Sequence, residues 1–196
     1  MKTPPVQAGG VFFMPDDTTY LPTPIGERDM TEDTKSICPM MAEPQAEHRW
    51  LERLVGEWTS EAECMMEPPE TFRGTEIVRS LGGLWVLAEG HGDLPGGGAM
   101  TTVLTLGYDP AKQRYVGSFI GSMMTHMWLY QGRVDGNILA LETEGPDFTT
   151  DGKTMARYVD SIEWIDDDNR VMRSRMQGRD GTWHDVMIAR YRRKAS

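Results

Sequence analysis

The chain has 196 residues, a formal charge of −10 and a pI near 4.9, a length that suits one domain plus a tail and an acidity that excludes a nucleic-acid surface. The only basic cluster, Arg190, Arg192, Arg193 and Lys194, is too short to overturn that. Two cysteines, Cys38 and Cys64, are too few for a disulfide framework and point to a reducing compartment.

Residues 1–45 stand apart from the rest. Seven of the twelve prolines fall here, with acidic residues, Gly9-Gly10 and no helical period. Such a segment reads as a flexible, Pro-rich arm, and residues 1–43 are expected to be removable without unfolding the domain. Val11-Phe12-Phe13-Met14 is the one piece apolar enough to dock. No basic segment followed by an apolar run opens the chain, so no secretory signal is read. The longest uncharged run, residues 115–132, alternates in hydropathy and is not a membrane span. The expected setting is cytoplasmic, with neither nucleic acid nor membrane as partner and the oligomeric state left open.

After Pro44 the pattern changes. Trp50, Leu51, Leu54 and Val55 make one apolar stripe, which predicts a helix over 46–55 that ends at Gly56. The next segment has the cleanest alternation in the chain. Trp58, Ser60, Ala62 and Cys64 share one face, and Glu57, Thr59, Glu61 and Glu63 the other. Period-2 segments follow at Phe72–Leu81, Trp85–Gly92, Met100–Tyr108, Arg114–Ser122, His126–Val134, Ile138–Glu144, Met155–Trp164, Arg170–Met176 and His184–Arg192. Leu81-Gly82-Gly83, Asp109-Pro110-Ala111-Lys112, Asp135-Gly136-Asn137 and Gly178–Gly181 supply hairpin turns. Short strands joined by tight turns predict an all-β, antiparallel meander of about ten strands over 57–193, closed into a barrel with the helix across one end.

His48-Arg-Trp-Leu-Glu-Arg-Leu-Val-Gly-Glu-Trp58, Arg79-Ser-Leu-Gly-Gly83, Leu106-Gly-Tyr-Asp-Pro110, Tyr115–Ser122, Glu144-Gly-Pro146 and Tyr191-Arg-Arg-Lys194 occur in this order. Together they resemble an uncharacterised bacterial family known as domain of unknown function 1579. The resemblance covers residues 46–194 and implies a calycin-like barrel, the class of lipocalins and fatty-acid-binding proteins. It implies no activity and no catalytic residue, and fold alone does not give function. Gly56-Glu57-Trp58 also resembles the lipocalin opening, in which the Trp plugs one barrel end under an Arg of the last strand. That likeness implies a structural Trp58 under Arg190 or Arg192. The haem-binding nitrobindin group opens Gly-x-Trp-x-Gly-x-Gly; here Ser60 and Ala62 stand where those glycines would be, which argues against haem. No cofactor is expected.

Fifteen methionines are an excess, clustered at Met40-Met41 beside Cys38, at Met65-Met66 beside Cys64, and at Met123, Met124 and Met127 beside His126. Soft ligands of this kind select Cu(I). Within a strand, though, Met123 and Met127 point away from Met124 and His126, so gap-filling and adaptable packing is the reading preferred. Asp166-Asp167-Asp168-Asn169 lacks the glycine and distal glutamate of a Ca²⁺ loop and reads as a solvated turn. Gly96-Gly97-Gly98 has no following Lys-Ser/Thr and reads as a loop at the barrel mouth. His48 caps or packs the helix start, and His184 begins the last strand. Glu76, Glu142, Glu144 and Asp160 lie among apolar neighbours, where a buried carboxylate paired to Arg79, Arg157 or Arg173 would be structural.

Polar-tipped aromatics and imidazoles recur within the strands, where a purely structural core would use Leu, Val and Ile. This predicts a cavity lined by Trp85, His91, Tyr115, His126, Trp128 and Tyr130 that holds an unknown small, mostly apolar molecule. Two alternatives stay open: an isomerase or cyclase with Glu89 and His91 as acid/base pair, and a partner-binding domain whose barrel is filled with side chains. Interior volume discriminates a pocket from a filled core, and a perturbed Glu or His beside open volume would favour the enzyme; a one-residue slip in register would turn His91 or His126 outward.

Overall fold

A computed structural model describes residues 42–65, 69–94, 97–150 and 152–195. The expected arm, including Val11–Met14, lies outside the described residues except for exposed positions 42–45. The elements are a helix, α1 (Ala46–Glu52), and ten strands: β1 (Gly56–Cys64), β2 (Glu70–Leu81), β3 (Trp85–Asp93), β4 (Ala99–Asp109), β5 (Arg114–Gly121), β6 (Trp128–Asp135), β7 (Ile138–Pro146), β8 (Met155–Trp164), β9 (Asn169–Gln177) and β10 (Trp183–Arg193). A short 3₁₀ turn, Phe148–Thr150, joins β7 to β8. Every strand pairs antiparallel with its sequence neighbours, and β1 pairs with β10, so the sheet closes without a free edge. Glycines take the left-handed conformation where the hairpins demand it, at Gly82, Gly136 and Gly181 (φ 64°, 60° and 84°).

The helix is shorter than its apolar stripe predicts. It ends at Glu52, and a turn through Leu54 carries the stripe on to the barrel. His48 caps it: its Nδ1 accepts the Gln45 backbone N–H at 2.9 Å, and its ring meets Tyr108 edge-on. Leu51 and Leu54 are buried, and α1 packs beside β3 and β4.

Trp58 is 0% exposed and plugs the helix end of the barrel, its Nε1 donating to the Leu54 carbonyl at 2.9 Å. The arginine that covers it is Arg193, neither Arg190 nor Arg192. The Arg193 guanidinium lies 4.2 Å from the Trp58 ring centroid and donates to the carbonyls of Val55 (2.7 Å) and Arg53 (2.8 Å). The reason is register. Arg193 stands opposite inward-facing Trp58, whereas Arg192 and Arg190 stand opposite Thr59 and Glu61 on the outer face. Arg190 instead meets Glu63 in an exposed ion pair.

Candidate functional site

The inward faces of the strands differ along the barrel axis. At the helix end they carry Trp58, Val86, Leu106, Tyr115, Leu139, Ile162 and Trp164, all buried and mutually packed. Further along, β1, β2, β3, β9 and β10 turn small residues inward: Ser60, Ala62, Gly74, Gly90, Ser174 and Ala189. Side chains this small cannot meet across a ten-stranded barrel. They leave a cavity of about 370 Å³ at the end away from the helix.

The opposite wall is aromatic and sulfur-rich. Phe119 (β5), Trp128 and Tyr130 (β6), and Tyr158 (β8) line it with Met123 and Met124, while Met100 (β4), Met172 (β9) and Met187 (β10) add sulfur elsewhere around the cavity. Trp128 is held in place by three contacts. Its ring lies against Gly145, where any Cβ would sit 2.1 Å from it; its edge meets Tyr158 at 4.9 Å; and its Nε1 points to the Met124 sulfur at 3.1 Å.

Two carboxyl groups line the cavity. Asp160 of β8 is 7% exposed. The Tyr130 hydroxyl donates to its Oδ2 at 2.5 Å, while its Oδ1 has no hydrogen-bond partner. Burial pushes the Asp160 carboxyl above the ordinary carboxylate range; Ser174, its cross-strand neighbour, and Tyr130 offset this only in part. Burial, then the Asp160 charge, then their hydrogen bond all hold the proton on Tyr130. Burial also raises the Tyr158 hydroxyl, to about 12, and that hydroxyl donates to the Pro146 carbonyl at 2.6 Å. The second carboxyl, Glu76 of β2, is paired with Arg170 of β9. Arg170 is 3% exposed and lies between two rings, 3.9 Å from the centroid of Tyr191 and 4.7 Å from that of Trp58. This is a buried carboxylate with an arginine, as the sequence implied, but the arginine is none of Arg79, Arg157 and Arg173.

Of the six residues expected to line the pocket, Trp128 and Tyr130 face the cavity and His91 borders it. The His91 imidazole itself is about half exposed (49%) on the outer surface, with Nε2 3.0 Å from Glu89 and Nδ1 3.3 Å from the Thr101 hydroxyl. The acid/base pair thus forms outside the barrel, because the inward face of β3 belongs to Val86, Ala88, Gly90 and Gly92. Trp85 shares that outer face, its ring lying on Gly107. Tyr115 is buried at the filled helix end, where its hydroxyl donates to the Glu47 carbonyl at 3.2 Å and burial raises its pKa to about 12. His126 precedes β6 and borders a separate groove outside the barrel, with Nε2 3.1 Å from the Glu144 carbonyl and its ring edge-on to Trp128. The expected mouth at Gly96–Gly98 falls partly outside the described residues.

Asp160 is the site residue that the reading by apolar neighbours assigned to scaffolding. A signal for it existed. On β8, Tyr158, Asp160, Ile162 and Trp164 share one face, so the acid interrupts an otherwise apolar inward row. Among the described residues no three His, Cys, Asp or Glu side chains come together as a metal site needs. Met123 and Met127 are exposed, and Cys64 borders the cavity as a free thiol. No described helix is long and apolar enough to cross a membrane.

A closed antiparallel meander with a plugging Trp, a covering Arg and a hollow far end defines a calycin-like barrel. The chain belongs to the family described as "Protein of unknown function (DUF1579)", whose model matches residues 43–193. Among solved structures it is similar to Rv2717c from M. tuberculosis, with a TM-score of 0.53 and 14% identity over 78% of this chain and 100% of that one. At that identity the likeness is one of fold. It is also similar to the S-type phycobiliprotein lyase CPES from Guillardia theta, with a TM-score of 0.49 and 17% identity over 78% of this chain and 94% of that one. That second likeness is too loose to bear on this chain's chemistry. No curated protein matches the chain.

Proposed function

We propose that the barrel binds a small, mostly apolar molecule in the cavity between β1–β3, β10 and the aromatic wall of β5, β6 and β8. The observation that carries this reading is the volume itself: about 370 Å³ left open beside Phe119, Trp128, Tyr158 and five methionines. An interior built only for stability would fill such a space, because each lost contact costs free energy. Methionine suits a surface that adapts to its occupant, and the buried Asp160–Tyr130 pair supplies the few polar atoms that orient one. A free Cys64 at the cavity fits a reducing, cytoplasmic setting. The open volume weighs against a filled partner-binding barrel. The outward Glu89–His91 pair weighs against an isomerase that uses those two groups on a molecule held inside.

Native mass spectrometry of the protein purified from its own host tests the reading. A retained small molecule is the expected result, and it should be absent from an Ala62→Phe variant, whose new ring occupies the cavity. An empty native protein that also fails to enhance the fluorescence of the neutral apolar probe N-phenylnaphthylamine would overturn it.

A further inference from the structure

We propose that the cavity takes an apolar amine, an alkyl- or arylammonium, whose nitrogen is received by Asp160 within the ring of Trp128, Tyr130 and Tyr158. This rests on the cavity being a binding site and adds the chemical class of what it binds.

The first support is the state of Asp160. It is on the cavity wall and only 7% exposed, beside Ser174 of β9, with Oδ2 taken by Tyr130 and Oδ1 left without a hydrogen-bond partner. Among the described residues no cation is paired with it. A buried carboxyl in this condition is costly when charged, and a group that brings both N–H donors and a positive charge removes both deficits at once. The second support is the company it keeps. Trp128 and Tyr130 are successive inward residues of β6, and Tyr158 and Asp160 are successive inward residues of β8, so three aromatic side chains line the same cavity as the one carboxyl. Aromatic rings beside a carboxylate are the surroundings that attract an ammonium.

The third support is what the wall lacks. A carboxylate ligand needs an unengaged cation, and the described wall offers none. Arg170 is not among the lining residues; its charge is paired with Glu76 and its guanidinium is stacked between Trp58 and Tyr191, though its Nε has no partner. Arg73, at the mouth, is exposed and bonded to Glu61 outside the barrel. An anionic ligand would instead meet the Asp160 carboxyl, which no cation offsets among the described residues.

The test uses the full-length chain and three probes built on one naphthalene ring: naphthylmethylamine, naphthylmethanol and naphthoate. Calorimetry near neutral pH should show the amine binding at least about tenfold tighter than the alcohol, with naphthoate not measurable. Asp160→Asn should weaken the amine far more than the alcohol, bringing the two to within about twofold of each other. The unsubstituted chain gives a second readout that does not depend on the variant folding. On acidification Asp160 takes up its proton, so the amine's advantage should shrink while the alcohol's affinity stays level. The ionisable groups facing this part of the wall are Tyr130 on β6, Tyr158 on β8 itself, Tyr191 on β10, the Glu76–Arg170 pair of β2 and β9, and Cys64 nearer the mouth, with Arg73 and the outward His91 at the rim. The three tyrosines stay protonated throughout, since burial raises each of them. The assignment falls if the alcohol or naphthoate binds as tightly as the amine, or if the preference ignores both acid and Asp160→Asn. In those cases the cavity still binds and only the ligand class is wrong. If none of the three probes binds, the proposed function falls with it.

Discussion

The two ends of this barrel are built from the same strands and by the same alternation, yet one is packed and the other is hollow. At the helix end the inward row is Trp58, Val86, Leu106, Tyr115, Leu139, Ile162 and Trp164. At the far end it is Ser60, Ala62, Gly74, Gly90, Ser174 and Ala189 facing Phe119, Trp128 and Tyr158. Stability is concentrated where volumes are complementary, and binding capacity where they are not. The helix end also gathers the structural cations, since Arg193 ties β10 to the chain leaving α1 and Arg170 neutralises Glu76.

The comparison breaks first at Trp58. Trp58→Ala should cost about 3–5 kcal/mol in urea denaturation, the range for a buried aromatic. A loss under about 1 kcal/mol would mean that the helix end is not the packed one. Arg193→Ala comes next, at about 1.5–3 kcal/mol, because two chain carbonyls lose a charged donor and the Trp58 ring loses its cover. Arg190→Ala, which removes only the exposed pair with Glu63, should cost no more than about 1 kcal/mol. Equal effects of the two would contradict the register of β1 against β10.

A matched pair of insertions sharpens the contrast. Ala88→Leu enters the packed half and should destabilise by about 1–3 kcal/mol through overpacking. Ala62→Leu enters the hollow half and should cost less than about 1 kcal/mol while weakening probe binding. Similar costs at both positions would show that the cavity is not open.

The smallest expected effect is a pH slope. Asp160 is held above its ordinary value of 3.8 in the folded state, so the folded chain binds its proton more tightly than the unfolded chain. Its contribution is fully present below the unfolded value and is lost as pH rises through the raised folded one. Asp160→Asn should remove that loss, so its stability should gain on that of the unsubstituted chain as pH rises from about 4. Denaturation midpoints of both proteins across a pH series would show it; parallel curves would place Asp160 in solvent.

Much of the architecture was legible because its signals are local. Alternation in β1 and β8, glycine turns at Gly82, Gly136 and Gly181, and the stripe through Leu51 and Leu54 each involve a few adjacent residues. The site was less legible. In β3, Trp85 and Leu87 alternate with Val86 and Ala88, so both faces read as apolar and periodicity cannot choose between them; pairing with β2 and β4 turned Trp85 and His91 outward. In β10 the neighbours Ile188 and Ala189 are both buried, and the register slips between Asp185 and Met187, which hid that Arg193 rather than Arg190 or Arg192 shares the face of Trp58.

The sequence by itself determined an antiparallel barrel of about ten strands with a helix and a tryptophan at one end, because strand period, turn chemistry and capping act over short range; the count of ten and the closure of β1 on β10 came from the structure. Only the tertiary structure decided where the barrel is hollow and which groups meet there. Ser60, Gly74, Gly90 and Ala189 come together through hydrogen-bonded register, and Tyr130 reaches Asp160 across thirty residues of chain. A cavity is a sum of volumes from distant positions, and no local pattern encodes that sum.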